Sequence, residues 1–145
     1  MTVIRTAERA DFALVMDLLE SMANDNALFS VSWKKVAWIV ADLIDNPKAH
    51  IFLSFEGAVC TGSFAVEQST PWYSNDKILD ECWIFVRPEY RKSRTIFRLL
   101  KAVKNLSEEL ALPVVVNVVT PNRSDSKVKL FKRYFKLVGE SDVQK

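Results

Sequence analysis

The residues best placed to do chemistry follow an apolar stretch that ends near position 86. Three cationic side chains crowd together there, at Arg91, Lys92 and Arg94, with the hydroxyl of Ser93 between them. An amphipathic helix begins directly afterwards. The first backbone N–H groups of a helix lack partners and carry partial positive charge, so a strand that feeds such a helix start is suited to hold phosphate. The sequence therefore predicts an anion-binding site at this junction.

A solvated basic helix start is the alternative interpretation of these cations. Positive side chains at a helix N-terminus oppose the helix dipole, however, and are slightly destabilising there. An anionic ligand would remove that conflict, which favours the binding interpretation.

The composition excludes several other kinds of site. The chain has three glycines, too few and too scattered for a dinucleotide fingerprint or a Walker phosphate loop. One histidine and two cysteines exclude a zinc finger and argue against a metal cage, so we expect no metal. Two cysteines also indicate a reducing, cytoplasmic setting. The longest apolar stretch, 36–44, contains Asp42 and is too short to cross a bilayer, so we expect a soluble protein with no membrane partner.

The length and the charge distribution suggest one domain with two different ends. A chain of 145 residues, 49% apolar and 26% charged, suits a single globular domain spanning 1–145. Residues 1–86 have a charge balance of −6, and residues 87–145 a balance of +8. The basic part could face an anion and the acidic part a cation, although solvated helix faces of different sign would give the same arithmetic.

The periodicity of apolar residues predicts the element order βααβββαβαβ. We expect the first helix to begin at Asp11 and to be interrupted by polar residues at 24–26, and the second to run from about Ser32 to position 46. The predicted strands are 3–5, 50–55, 58–67, 78–86, 114–119 and 135–143, and the later helices are the one after the basic loop and a short one at 126–134. A strand–helix–strand unit after two hairpins predicts an α/β (α+β) fold with a mixed, mostly antiparallel sheet and helices on both faces.

Strand alternation assigns faces to the residues of the fourth strand. It places Glu81 with Trp83 and Phe85 on one face, and Asp80, Cys82 and Ile84 on the other. The helix after the basic loop has its apolar side at Ile96, Leu99, Leu100, Val103 and Leu110. Both cysteines, at 60 and 82, are interpreted as small core residues rather than nucleophiles.

The strand–loop–helix stretch resembles the central motif of the GNAT superfamily of acetyl-CoA-dependent N-acyltransferases. Val86, Pro88, Tyr90 and Arg91 match its conserved pattern, and two leucines at 99–100 match the helix that follows. Two glycine positions of the family hold Arg94 and Ile96 instead, in an Arg-x-Ser-Arg form similar to a variant seen in phage-encoded members. The resemblance extends to Gly62 in the second hairpin strand and to the closing segment 130–140.

The resemblance implies an acetyl-CoA site at the same junction. The backbone groups that would pair with the pantetheine arm belong to Ile84, Phe85 and Val86. The residues that would cradle the pyrophosphate are Arg91, Lys92, Ser93, Arg94, Thr95 and Ile96. Asn122 occupies the neighbourhood of a family asparagine that lies near the cofactor arm; a turn residue after Pro121 is the alternative interpretation.

The resemblance also implies a place for each catalytic group. Glu81 is the candidate base that takes a proton from the acceptor amine, and a structural residue at the sheet rim is the alternative. The family tyrosine that protonates the leaving thiolate aligns with Phe131, which has no proton to give. Tyr134, three residues on, is the catalytic acid only if the register shifts, so we expect it to be dispensable.

Together these features predict an enzyme that transfers acetyl from acetyl-CoA to an amine of a protein or small molecule. The alternative is a GNAT-like binding or structural protein that has lost catalysis, phage-encoded and engaging a host or virion protein. Nucleic-acid binding is not favoured, because no aromatic stacking platform or recognition helix is evident. The sequence leaves a homodimer open.

Overall fold

The elements follow the predicted order as far as the chain is described, which in this computed structural model is residues 2–26, 30–116 and Phe131. The strands are β1 Thr2–Thr6, β2 Ala49–Glu56, β3 Val59–Ser69, β4 Ile78–Val86 and β5 Val114–Val115. The helices are α1 Phe12–Asn26, α2 Trp33–Asp45 and α3 Thr95–Leu110, and two 3-10 turns lie at Arg9–Asp11 and Pro88–Tyr90. The predicted helix at 126–134, apart from Phe131, and the strand at 135–143 lie outside the described residues.

The five strands form one sheet in the order β1-β2-β3-β4-β5. The first four are antiparallel to their neighbours, whereas β5 is parallel to β4 and is reached through α3. The hairpin between β2 and β3 turns at Gly57, whose φ of +60° suits glycine. The predicted mixed, mostly antiparallel α/β sheet is therefore confirmed.

Each face of the sheet carries its own apolar cluster. On one face α1 and α2 pack through Val15, Leu18 and Val40 against buried strand residues such as Leu53 and Trp83. On the other face α3 packs through Leu99, Leu100 and Val103 against Phe64, Val66 and Leu79, and Phe131 joins this cluster. Helices on both faces, as predicted, follow from the apolar stripe that each amphipathic helix must bury.

Two helix details differ from the sequence-based prediction. The polar stretch 24–26 is the last turn of α1 rather than an interruption, and Asp25 in this turn accepts a hydrogen bond from Arg91. The spacing of Ile39 from Val40 and Leu43 predicts that it lies on the apolar face of α2, but it is 38% exposed. The start of α2 is as expected, because the Ser32 hydroxyl accepts the N–H of Lys35 at 3.4 Å.

A β-bulge in β4 corrects the predicted faces of that strand. Ala65 of β3 is opposite Trp83, but the next β3 residue, Val66, is opposite Glu81, so Cys82 is the extra residue. Val66 is buried against α3, and Glu81 therefore lies on the α3 face, away from Trp83. The prediction that placed Glu81 with Trp83 and Phe85 is wrong, because one inserted residue reverses the alternation on its far side.

Among the described helices, none is both long and apolar enough to cross a membrane.

Candidate functional site

The junction between β4 and α3 is a short loop with its own hydrogen bonds. It passes through the 3-10 turn at Pro88–Tyr90 and reaches α3 at Arg94, which occupies the N-cap position without a capping side-chain bond. The Ser93 hydroxyl donates to the Tyr90 carbonyl and accepts the N–H of Thr95 at 3.3 Å. Thr95 is fully buried. Ser93 and Thr95, both predicted to cradle phosphate, thus make hydrogen bonds within the loop itself.

The loop does not need the conformational freedom of glycine. Arg94, at one family glycine position, has φ −82° and ψ 4°, a negative-φ conformation that does not require glycine. Among the described residues other than glycine, positive φ occurs only at Ala111, beyond the end of α3. Ile96, at the other glycine position, packs against the apolar cluster under α3. The backbone of this loop therefore needs no conformation that only glycine adopts.

Two cations at this junction point to solvent. Lys92 and Arg94 are both exposed, and no carboxylate partner of either is recorded within the described part of the chain. The first N–H groups of α3 lie beside them. Exposed positive charge beside the positive end of the α3 dipole makes this junction attractive to an anion.

Arg91 is differently placed from its neighbours. Its Nε donates to the Val86 carbonyl at 3.0 Å, and its Nη2 donates to Asp25 Oδ2 of α1 at 2.7 Å. The guanidinium also lies over the Phe85 ring, 5.5 Å from its centre. The side chain is 25% exposed. Arg91 thus joins the end of β4 to the end of α1.

The last three residues of β4 lie at the same end of the sheet as this loop. Ile84, Phe85 and Val86 pair with β3 on one side. On the other side, the recorded pairing of β4 with β5 involves only Leu79 and Asp80 within the described residues. The structure thus brings the predicted arm-binding strand end beside the predicted phosphate loop.

Three carboxylates lie near the β-bulge, which precedes residues 84–86 in β4. Glu67 of β3 lies directly opposite Asp80, and Glu81 follows on the other face. Burial, and after it the negative charges of Glu67, Asp80 and Glu81, raise the pKa of the Cys82 thiol to about 12. Burial also raises the pKa of Asp80. Both causes favour the protonated thiol of Cys82, and the carboxylates give this region negative charge.

Phe131 is a core residue. It is 1% exposed, and its ring meets Phe64 edge to face at 6.1 Å between centroids. A phenylalanine at this position fills the cluster between α3 and the sheet rather than a solvent-facing pocket. Asn122 and Tyr134, the remaining predicted site residues, lie outside the described residues.

The sequence analysis missed the contribution of α1 to this site. Arg87 donates through Nη2 to Asp17 Oδ2 at 2.9 Å and through Nη1 to the Ser21 hydroxyl at 2.8 Å. Asp17, Ser21 and Asp25 recur every fourth residue and so lie along one side of α1. That spacing was a readable signal for a polar contact surface. Within the described residues no cluster of three His, Cys, Asp or Glu side chains could hold a metal ion.

Comparison with known proteins identifies the fold. The sequence matches no family model and no curated protein. Among solved structures, it is similar to a predicted acetyltransferase from Clostridium acetobutylicum determined with acetyl-CoA (TM-score 0.77, 14% identity, covering 97% of this chain and 92% of that one). The structure of AAC(6′)-Iy in complex with the bisubstrate analogue CoA-S-monomethyl-acetylneamine is also similar, with TM-score 0.77 and 12% identity over 97% of this chain and 94% of its own.

A third similar structure is named as a GNAT family acetyltransferase and comes from Staphylococcus aureus. Its TM-score is 0.65 at 15% identity, covering 85% of this chain and 89% of that one. At these identities the likeness is one of fold. The chain therefore has the fold of the GNAT acetyltransferases.

Proposed function

We propose that this protein is an N-acetyltransferase that transfers the acetyl group of acetyl-CoA to an amine. The observation that carries this proposal is the exposed pair Lys92 and Arg94 at the start of α3, beside the end of β4. A phosphate-attracting helix start fits the pyrophosphate of coenzyme A. The likeness in fold to acetyltransferases supports the same function.

The described residues fit this co-substrate. Lys92 and Arg94, beside the positive end of the α3 dipole, would bind the pyrophosphate, and the backbone of 84–86 would bind the pantetheine arm. No strained backbone is required, since Arg94 has ordinary dihedral angles. Acetyl-CoA supplies the acetyl group as a thioester.

Two free cysteines, Cys60 and Cys82, fit a reducing compartment such as the cytoplasm.

Glu81 is the proposed base. An acceptor amine must lose a proton before it can attack, and Glu81 is the half-buried carboxylate on the α3 face of β4. The negative charge of Glu81 itself favours a cationic acceptor, such as a polyamine or a lysine side chain. Phe131 offers no proton to the departing sulfur, so that proton would come from water or from the acceptor nitrogen, which becomes positively charged when it bonds to the acetyl carbon.

Binding of acetyl-CoA by the exposed cations is the first test. We expect Arg94→Glu and Lys92→Glu each to weaken acetyl-CoA binding about tenfold or more in calorimetric titration, because each replaces an attraction with a repulsion. The wild-type affinity should fall as salt concentration rises. Lys34→Glu, an exposed position on α2, is the matched control and should bind normally. Unchanged affinity in both loop variants would contradict the proposal.

Loss of turnover without loss of binding is the test for Glu81. Glu81→Gln keeps the shape and removes the base, so thiol release with a panel of cationic amines should fall about a hundredfold. Acetyl-CoA affinity should be unchanged, and Glu108→Gln on the exposed side of α3 should retain full activity. Binding of acetyl-CoA with no transfer to any amine by the wild-type protein would favour a GNAT-like binding protein instead.

A further inference from the structure

The arginines of the described chain fall into two groups. Arg5, Arg9, Arg87 and Arg91 each have a carboxylate partner at 2.7–2.9 Å. Arg94 and Arg98, at the start and in the second turn of α3, have no recorded ion pair with a described residue. The basic loop itself contains one arginine of each group, Arg91 with a carboxylate partner and Arg94 without a recorded one among the described residues. Two cations that look equivalent in the sequence are therefore in different environments.

Both ends of the loop are fastened to α1. At one end Arg87 is 18% exposed, and its Nε donates to the Cys60 carbonyl at 2.9 Å while its other nitrogens reach Asp17 and Ser21. At the other end Arg91 bridges the Val86 carbonyl and Asp25. The 3-10 turn Pro88–Tyr90 lies between these two attachments. The position of the loop that carries Lys92 and Arg94 thus depends on contacts with α1.

We propose that Arg91 is a positioning residue rather than a phosphate ligand, and that Asp25 of α1 holds it in place. This inference rests on the proposed function. Two of the N–H groups of Arg91 already donate to Val86 and Asp25, and the side chain is 25% exposed. Lys92 and Arg94 supply the charge that meets phosphate, while the bridge through Arg91 fixes where that charge is presented. A loop that is already held in one position loses less conformational entropy when the anion binds to it.

The two roles for Arg91 predict opposite effects of Asp25. If Arg91 were a phosphate ligand, Asp25 would compete for its guanidinium, and neutralising Asp25 would tighten acetyl-CoA binding. If Arg91 positions the loop, neutralising Asp25 releases it and weakens binding. Because a charge-assisted bond at 2.7 Å is lost in either case, the sign of the change decides between the two roles.

The experiment is calorimetric titration of acetyl-CoA into the full chain at two salt concentrations. We expect Asp25→Asn to weaken binding three- to tenfold, and Asp25→Asn combined with Arg91→Gln to bind no more weakly than Arg91→Gln alone, since both changes break one bridge. Arg91→Gln should keep the wild-type dependence on salt, whereas Arg94→Gln should reduce it. Asp42→Asn, an exposed carboxylate on α2, removes the same charge and should change nothing.

Tighter binding in Asp25→Asn, or a salt dependence reduced as much in Arg91→Gln as in Arg94→Gln, would overturn the inference. A second measurement does not depend on the ligand: amide hydrogen exchange across 87–96 should be faster in Asp25→Asn than in Asp42→Asn. Equal exchange in the two variants would also overturn the inference. Absence of acetyl-CoA binding by the wild-type protein, with the exchange difference present, would instead reject the proposed function and leave the bridge intact.

Discussion

Gly62 shows how tightly β3 and β4 pack where β4 ends. It lies opposite Val86, and a Cβ added to it would be 2.7 Å from the Phe85 carbonyl oxygen and 3.2 Å from the Ser54 hydroxyl. The first contact is with backbone, which cannot rotate away as a side chain can. Only glycine therefore allows the two strands their present spacing beside the candidate site.

Gly62→Ala should destabilise the protein by about 1–3 kcal/mol, because the added methyl forces the backbone of β4 to shift. The free energy of unfolding in urea measures it. Gly57→Ala is the contrasting control: its Cβ would meet nothing within 4 Å, but its φ of +60° costs an alanine about 1 kcal/mol. Gly57→Asn, which tolerates that φ, should be nearly neutral. A Gly62→Ala protein as stable as wild type would contradict this account of the strand spacing.

His50 is a second residue whose environment predicts a measurable effect. Its Nε2 is buried without a hydrogen-bond partner within the described residues. Burial lowers the pKa of His50 from its usual 6.5, and the charge of Glu109 only partly opposes that shift. The unfolded chain therefore binds a proton at His50 more readily than the folded protein does. The free energy of unfolding consequently decreases as pH falls below about 6.5.

The unfolding free energy should thus decrease between pH 7 and pH 5.5, with a slope below about 1.4 kcal/mol per pH unit, the limit for one proton. His50 is the single histidine of the chain, so His50→Gln should flatten the profile over that interval. Urea titrations of both proteins at several pH values measure the difference. Parallel profiles for the two proteins would show that His50 is not the titrating group.

At the scale of elements, the bulge in β4 decides which face receives Glu81. Residues before and after Cys82 each alternate normally, but the extra residue reverses the alternation between them. Glu81 consequently lies on the α3 face and Trp83 on the α1–α2 face. Bulges are over-represented beside active sites, where they re-aim side chains.

The joint between β1 and α1 depends on Asp11. Its carboxylate accepts hydrogen bonds from both terminal nitrogens of Arg5, at 2.7 and 2.8 Å, and from the backbone N–H of Glu8 at 2.8 Å. The Arg5 hydrogen bonds lower the pKa of Asp11 from 3.8 to about 2. Because the folded state holds the carboxylate charged, its contribution is present above pH 4 and is lost as pH falls from about 4 to about 2.

Asp11→Asn should therefore cost on the order of 2 kcal/mol at pH 7, and its deficit relative to wild type should shrink toward pH 2. Urea unfolding at pH 7 and pH 3 measures both effects. Asp45→Asn is the matched control, since its ion pair with Arg9 is at the surface, with the two side chains 52% and 84% exposed. That variant should lose less than about 0.5 kcal/mol. A deficit for Asp11→Asn that is equal at pH 7 and pH 3 would argue against the linkage.

At the scale of the whole molecule, the contrast between the acidic and basic parts of the chain is partly neutralised inside the fold. Arg87 and Arg91 come from the basic part, and their partners Asp17 and Asp25 come from the acidic part. The arithmetic of the sequence suggested two faces for two external partners. Folding instead uses part of this charge to join the loop to α1 and leaves Lys92, Arg94 and the rest of the α3 cations to solvent.

Within residues 2–26 and 30–116, the sequence alone determined the order, type and approximate bounds of the elements. Hydrophobic period and turn residues are local signals, so β4 at 78–86 and the turn at Gly57 could be predicted within a residue or so. The strand–loop–helix junction was also predictable, because a cationic cluster at a helix start is visible without knowing its neighbours. The placement of Ile84–Val86 beside that loop followed from the same local order.

Tertiary structure alone decided which of those residues are available. The bulge at Cys82 depends on how β3 pairs with β4, which no single strand encodes, and it moved Glu81 to the other face. The difference between Arg91 and Arg94 depends on where the last turn of α1 lies, more than sixty residues earlier in the chain. Long-range contacts distinguish residues of the same chemical type, because a guanidinium that already has a carboxylate partner is less available to a ligand.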